Sequence, residues 1–160
     1  MIRAAFIWCV MAWPALAQTA SDAAITAFNS VCFKAGQTAA QARTRMEAQA
    51  GSPLPFDLTF WDFTLEPAPS APATIERRCE VAFKGDHTRD AITALRKQMA
   101  TPPVFGQAID LPATHVPEIG TALIEGRELL RKRVAVVHVG IRDEQTFMAV
   151  DRLPVGWEER

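Results

Sequence analysis

Cys32 and Cys79 lie on two segments with different hydrophobic periodicities, and each falls on the apolar side of its segment. Residues 75–84 alternate apolar and polar side chains, which predicts a strand with Cys79 on its core-facing side. Residues 21–36 repeat apolar side chains every three or four positions up to Gly36, which predicts an amphipathic helix with Cys32 on its buried stripe. We therefore expect both sulfur atoms to point into the same core.

Residues 1–17 have the pattern of a secretory signal peptide. Arg3 is the only charge ahead of an apolar run, and Ala15-Leu16-Ala17 supplies the small residues that signal peptidase recognises. A retained membrane helix would need about 20 apolar residues and should lack this ending. We expect cleavage to remove Cys9 and to leave a periplasmic or secreted chain with no stable membrane insertion.

Only Cys32 and Cys79 remain after that cleavage. Two thiols in an oxidising compartment are expected to pair. The bond would close a loop of roughly 48 residues, for which loop-closure entropy corresponds to about 4 kcal/mol. The alternative is two unrelated buried thiols.

Composition restricts the class of protein. The sequence has 160 residues, 49% of them hydrophobic, and 17 Lys and Arg against 18 Asp and Glu. This length and apolar fraction predict one globular domain over residues 18–160. The two signs of charge are mixed, with no basic stripe to neutralise phosphates, so a nucleic-acid partner is not expected.

The remaining periodicities predict an α+β fold, with an antiparallel sheet of about four to five strands. The helix at residues 88–99 and the disulfide-tied N-terminal helix are expected to cover one sheet face, and the other face to meet water. Residues 101–120 show neither period and read as a long loop. Further helix is expected at residues 38–50, and further strands at residues 58–65, 121–125, 134–141 and 146–153.

The last two strands form a hairpin if Asp143-Glu144 is a two-residue loop. Their register then places His138 diagonal to Asp151 on one sheet face. A histidine beside a carboxylate can act as a general base. The alternative is a partly buried histidine that is simply hydrogen-bonded, and no Ser or Cys nucleophile lies at a recognisable turn.

Other candidate sites have weaker patterns. His87, His115 and His138 lie more than about 20 residues apart, unlike the short motifs of catalytic zinc sites, so we expect no metal and no cofactor. The basic runs Arg77-Arg78 and Arg131-Lys132-Arg133 could each bind an anion or simply be solvated.

The helix with Phe28-x-x-x-Cys32, the strand with Arg77-Arg78-Cys79 and the valine-rich hairpin resemble small, uncharacterised bacterial periplasmic proteins that carry signal peptides. The resemblance implies export and a disulfide staple, and it implies no activity.

We expect a non-enzymatic binding or accessory protein whose partner is an unknown periplasmic protein or small ligand. Its binding surface would combine residues 101–120, including His115, with Trp61 and His138, because recognition residues concentrate on long loops. The alternative is a small periplasmic hydrolase that uses His138 and Asp151.

Overall fold

The computed structural model describes residues 19–157, so the predicted signal peptide and Cys9 lie outside the described residues. None of the helices in the described part is long and apolar enough to span a membrane. The elements in chain order are α1 (Ala20–Val31), α2 (Ala39–Ala50), β1 (Asp57–Asp62), β2 (Arg77–Lys84), α3 (Thr88–Ala100), β3 (Gln107–Ile109), β4 (Thr121–Glu128), β5 (Val134–Arg142) and β6 (Gln145–Arg152).

The strands form one antiparallel sheet in the order β1-β2-β6-β5-β4-β3. The α+β class is as predicted, but the sheet has six strands rather than four to five. The additional strand is β3, inside the segment predicted as a loop. It has three residues, too few for a hydrophobic period to be read from sequence. The order places β6 between β2 and β5 and so brings Asp151 beside β2.

All three helices contribute side chains to the core on one face of the sheet. Alternation along the strands explains which residues reach this core, because every second side chain points the same way. The α2 helix is anchored to this core by Met46, which is fully buried. Fully buried side chains of this core include Phe28, Met46, Cys79, Val81, Leu95, Val137, Val139 and Met148.

The predicted disulfide between Cys32 and Cys79 is present, with 5.4 Å between the two Cα atoms. It ties the residue after α1 to the third residue of β2. Arg77 adds a second link next to it, because its guanidinium donates to the Cys32 carbonyl oxygen at 3.0 Å. The same helix end is therefore held to the sheet by one covalent bond and one charged hydrogen bond.

The α1 helix ends at Val31, five residues before the glycine that the sequence suggested as its stop. One nearby and one distant side chain replace the glycine cap. Gln37 Nε2 donates to the Val31 carbonyl at 2.8 Å, and Arg77 donates to the Lys34 carbonyl. These contacts satisfy carbonyl groups that further helical turns would otherwise have used.

The second face of the sheet is not the water-facing surface that alternation along β2 predicted. Glu80 and Asp151 are both on this face, and they are 5% and 0% exposed. The segment that follows β3 returns over the face and places His115 against Asp151. A charged cluster is therefore enclosed between the sheet and a loop. The alternation along one strand cannot predict this, because it carries no information about a loop that covers the strand.

Candidate functional site

The β5–β6 hairpin brings His138 and Asp151 together as predicted. Asp143 and Glu144 form the two-residue turn, with φ of 51° and 61°, and the register pairs Ile141 with Thr146. His138 is therefore diagonal to Asp151, and its Nε2 lies 3.1 Å from Asp151 Oδ2.

Asp151 is the centre of this cluster, and its side chain is fully buried. Arg78 Nε donates to Oδ1 at 2.7 Å, and Arg78 Nη2 donates to Oδ2 at 2.6 Å. His115 Nε2 is 3.2 Å from the same Oδ2. Burial raises the pKa of Asp151, but the hydrogen bonds from Arg78, His115 and His138 outweigh it and hold this pKa well below its usual range. Asp151 is therefore a buried carboxylate anion.

An ionised carboxylate only accepts hydrogen bonds, so the two histidines must carry protons on Nε2 to make these contacts. In neutral His115 the other nitrogen, Nδ1, is then an acceptor. Thr114 Oγ1 lies 3.0 Å from it. Hydrogen bonds therefore link the Thr114 hydroxyl to the His115 imidazole, and this imidazole to the Asp151 carboxylate. Thr114, at one end of this line, is exposed to solvent.

Trp61 reaches the cluster through Arg78. The two residues are register partners on β1 and β2, and the guanidinium carbon lies 5.5 Å from the ring centroid. The indole Nε1 is buried and has no hydrogen-bond partner among residues 19–157. Trp61 therefore packs on the cation that binds Asp151.

His87 lies apart from this cluster, next to Phe83, with 5.8 Å between the ring centroids. His115 and His138 are neighbours at 6.3 Å. The described residues contain no group of three or more His, Cys, Asp or Glu side chains suited to a metal ion. The three histidines therefore do not converge.

A cavity of about 960 Å³ opens elsewhere, between the segment after α3 and the β4–β5 turn. This turn comprises residues 129–133 and includes a short 3-10 element at Leu130–Lys132. Trp61, His115, His138 and Asp151 are not among its lining residues. The segment predicted as one binding loop is therefore divided, with its first part on the cavity and His115 on the charged cluster. The cavity is lined by Phe33, Gln98, residues 101–107, residues 128–133 and Arg152.

The wall formed by residues 101–107 is fixed from two sides. Arg127 donates to the carbonyl oxygens of Phe105 and Gly106 at 3.0 and 3.1 Å. The rings of Phe33 and Phe105 meet edge to face at 4.6 Å. Gly106 has φ of 62°, and an added Cβ would lie 2.3 Å from the Glu128 carbonyl oxygen. The wall thus depends on glycine at this close approach to β4.

Four cations line the cavity, but two of them have acidic partners. Arg133 and Arg152 both bind Glu76, and Arg152 also contacts Asp62. Arg131 and Lys132 are exposed and form no ion pair with the described residues. They are the central residues of the β4–β5 turn, with φ of 59° and 54°.

Sequence reasoning identified His138, Asp151 and the basic run at 131–133, but it missed Arg78 as the partner of Asp151 and Thr114 as the partner of His115. The first depends on the β2–β6 register, for which a single sequence carries no signal. The adjacent Thr114-His115 pair was visible as a hydroxyl beside an imidazole. Comparison with protein-family models, curated proteins and solved structures gave no significant match to this chain.

Proposed function

We propose that this is an exported, non-enzymatic binding protein and that its ligand occupies the cavity between residues 101–107 and the β4–β5 turn. The observation that carries the proposal is the cavity itself. Its volume of about 960 Å³ is at the upper end of the range usual for small-molecule sites, which is about 300–1,000 Å³. Its walls combine aromatic and aliphatic side chains with a few charged groups, as such sites usually do.

Export is supported by two independent features. The first is the signal-peptide pattern of residues 1–17. The second is the Cys32–Cys79 disulfide, a bond that persists in oxidising compartments and is rare in the cytosol. A ligand that such a protein binds would be met in the periplasm or outside the cell.

A neutral, environment-sensitive dye tests the binding proposal. Nile red should bind the purified, oxidised protein with saturable enhancement of its emission. Val104 lines the cavity and is 58% exposed, so Val104→Trp should fill the site without disturbing the core and weaken binding by about tenfold or more. Val116 is 74% exposed and does not line the cavity, so Val116→Trp is the matched control.

Saturable binding that Val104→Trp abolishes and Val116→Trp leaves intact would support the proposal. Equal binding by both variants, or no saturable binding by the parent protein, would contradict it.

A hydrolase is the second candidate, and the Thr114–His115–Asp151 line of hydrogen bonds favours it. Attack by the Thr114 hydroxyl on an ester carbonyl would pass its proton to His115 Nδ1 and form an acyl-enzyme. The proton would then go to the departing alcohol, and water would release the acid. Asp151 would stabilise the protonated imidazole. This candidate replaces His138 with His115 as the base, because His115 has the hydroxyl partner.

Turnover of p-nitrophenyl acetate tests the second candidate. Thr114→Ser should keep the activity, and Thr114→Val should abolish the turnover above the rate without protein, because valine has nearly the same shape and no hydroxyl. Equal rates for the parent protein and Thr114→Val would remove the hydrolase candidate.

A further inference from the structure

We infer that the cavity ligand is an amphipathic anion, a hydrocarbon chain or flat apolar body that ends in one carboxylate or phosphate group. This inference rests on the proposed binding function and assigns its ligand class. The acidic group would lie at the β4–β5 turn against Arg131 and Lys132, and the apolar part would extend along the aromatic wall.

The apolar half of the site is built from both sides. Phe33 and Phe105 form one wall, and Leu129 continues it from the β4–β5 turn. Val104 and Leu130 line the mouth, where they are 58% and 90% exposed. When hydrocarbon covers large apolar side chains at the rim of an apolar cavity, it removes their surface from water and so lowers the free energy of the complex.

The charged half of the site favours an anion because its available cations are adjacent. Arg131 and Lys132 occupy successive positions of one turn, and both line the cavity. Arginine binds carboxylate and phosphate through paired N–H groups, and lysine adds a point charge. Glu128 is the only carboxylate among the lining residues. The local excess is therefore positive.

The net charge of the whole chain does not favour an anionic ligand. Its formal net charge is −1, so unspecific attraction would not select anions. A preference for anionic over neutral and cationic amphiphiles would therefore have to come from the local arrangement of Arg131 and Lys132 at the cavity mouth.

Displacement of Nile red by four amphiphiles of equal chain length tests the ligand class. Each charged amphiphile is used below the concentration at which it forms micelles, and dodecanol below its solubility limit. We expect dodecanoate and dodecyl phosphate to displace the dye about tenfold more tightly than dodecanol, and dodecyltrimethylammonium to be weaker still. A preference between the two acids would show whether a free fatty acid or a phosphate headgroup is the better source of the charge.

Charge variants localise the preference. Arg131→Gln with Lys132→Gln should weaken the binding of dodecanoate by about tenfold and leave the binding of dodecanol unchanged. Exchange of the two residues, Arg131→Lys with Lys132→Arg, should keep the parent affinity for dodecanoate. Glu128→Gln should increase the affinity for dodecanoate. The control is Arg43→Gln with Arg89→Gln, which removes two exposed cations that do not line the cavity.

The outcomes separate the two proposals. Absence of Nile red binding would overturn the binding function and the ligand class together. Saturable Nile red binding with equal affinity for dodecanoate and dodecanol would overturn only the ligand class, as would an anion preference that survives the Gln pair. Binding of a short acidic peptide rich in leucine, without binding of dodecanoate, would also overturn it.

Discussion

Arg78 and Asp151 are register partners on β2 and β6, and the guanidinium donates to both carboxylate oxygens at 2.7 and 2.6 Å. The two residues are 73 positions apart in the sequence. Loss of one member of such a pair leaves the other charge buried without its partner, which costs much more free energy than the pair contributes when it is intact.

Asp151→Asn should therefore lower the free energy of unfolding by about 3–5 kcal/mol, measured by urea denaturation at neutral pH. The matched control is Asp57→Asn on β1, where the residue is exposed and the change should stay within about 0.5 kcal/mol. A change of similar size in both variants would mean that the Arg78 pair has no special role in stability.

Acid should weaken the fold through the same carboxylate. The hydrogen bonds from Arg78 and the two histidines hold the pKa of Asp151 below its usual range. The pKa of Asp in an unfolded chain is about 3.9, so the unfolded state binds the proton first as the pH falls. The contribution of Asp151 is complete above about pH 5 and decreases below about pH 4.

Urea denaturation of the parent protein and Asp151→Asn at about pH 7, 4 and 3 measures this effect. The difference in unfolding free energy between them should shrink toward acid. A difference that stays constant over this range would show that the Asp151 pKa is not lowered by folding.

Removal of the disulfide should weaken the protein without unfolding it. Cys32→Ala with Cys79→Ala should cost about 2–4 kcal/mol, because the unfolded chain regains the freedom that the bond removes. The contact between Arg77 and the Cys32 carbonyl remains available to hold the end of α1. Far-UV circular dichroism should therefore stay near that of the parent, while the urea midpoint falls.

Reduction of the parent protein is the comparison for that variant and should lower the midpoint by a similar amount. A variant with an unfolded spectrum would show that Arg77 cannot hold the helix end alone.

The β5–β6 turn should be improved by a different dipeptide. Asp143 and Glu144 both have positive φ, a conformation that two-residue hairpin turns favour and that Asn-Gly adopts with least strain. Asp143→Asn with Glu144→Gly should raise the free energy of unfolding by about 1–2 kcal/mol.

Asp143→Ala with Glu144→Ala removes the same charges and keeps side chains in the strained conformation. Thermal and urea denaturation should show no comparable gain for the alanine pair. If both pairs stabilise the protein equally, charge repulsion rather than backbone strain limits the parent turn.

Local patterns predicted the parts of the fold that depend on neighbouring residues. Alternation in β5 and β6, together with a two-residue loop, was sufficient to place His138 beside Asp151. Two separate periodicities placed Cys32 and Cys79 in the same core. In each case the sequence spacing translates directly into a direction in space.

The remaining features depend on contacts between distant segments. Pairing of β2 with β6 decides that Arg78, rather than another cation, binds Asp151. At the end of α1, Arg77 of β2 donates to the carbonyl oxygens of Cys32 and Lys34. The cavity forms where the segment after α3 lies against the β4–β5 turn. The periodicity of either segment alone does not predict that the two are neighbours.

The central position of β6 has a consequence for synthesis. A nascent chain that has emerged only as far as Glu144 can pair β1 with β2 and β4 with β5, but these two ribbons have no strand to join them. Each would present an open edge of backbone donors and acceptors, the usual starting point for aggregation. Productive folding of this domain must therefore wait for β6, and a chaperone that shields both ribbons until then should raise the yield of native protein.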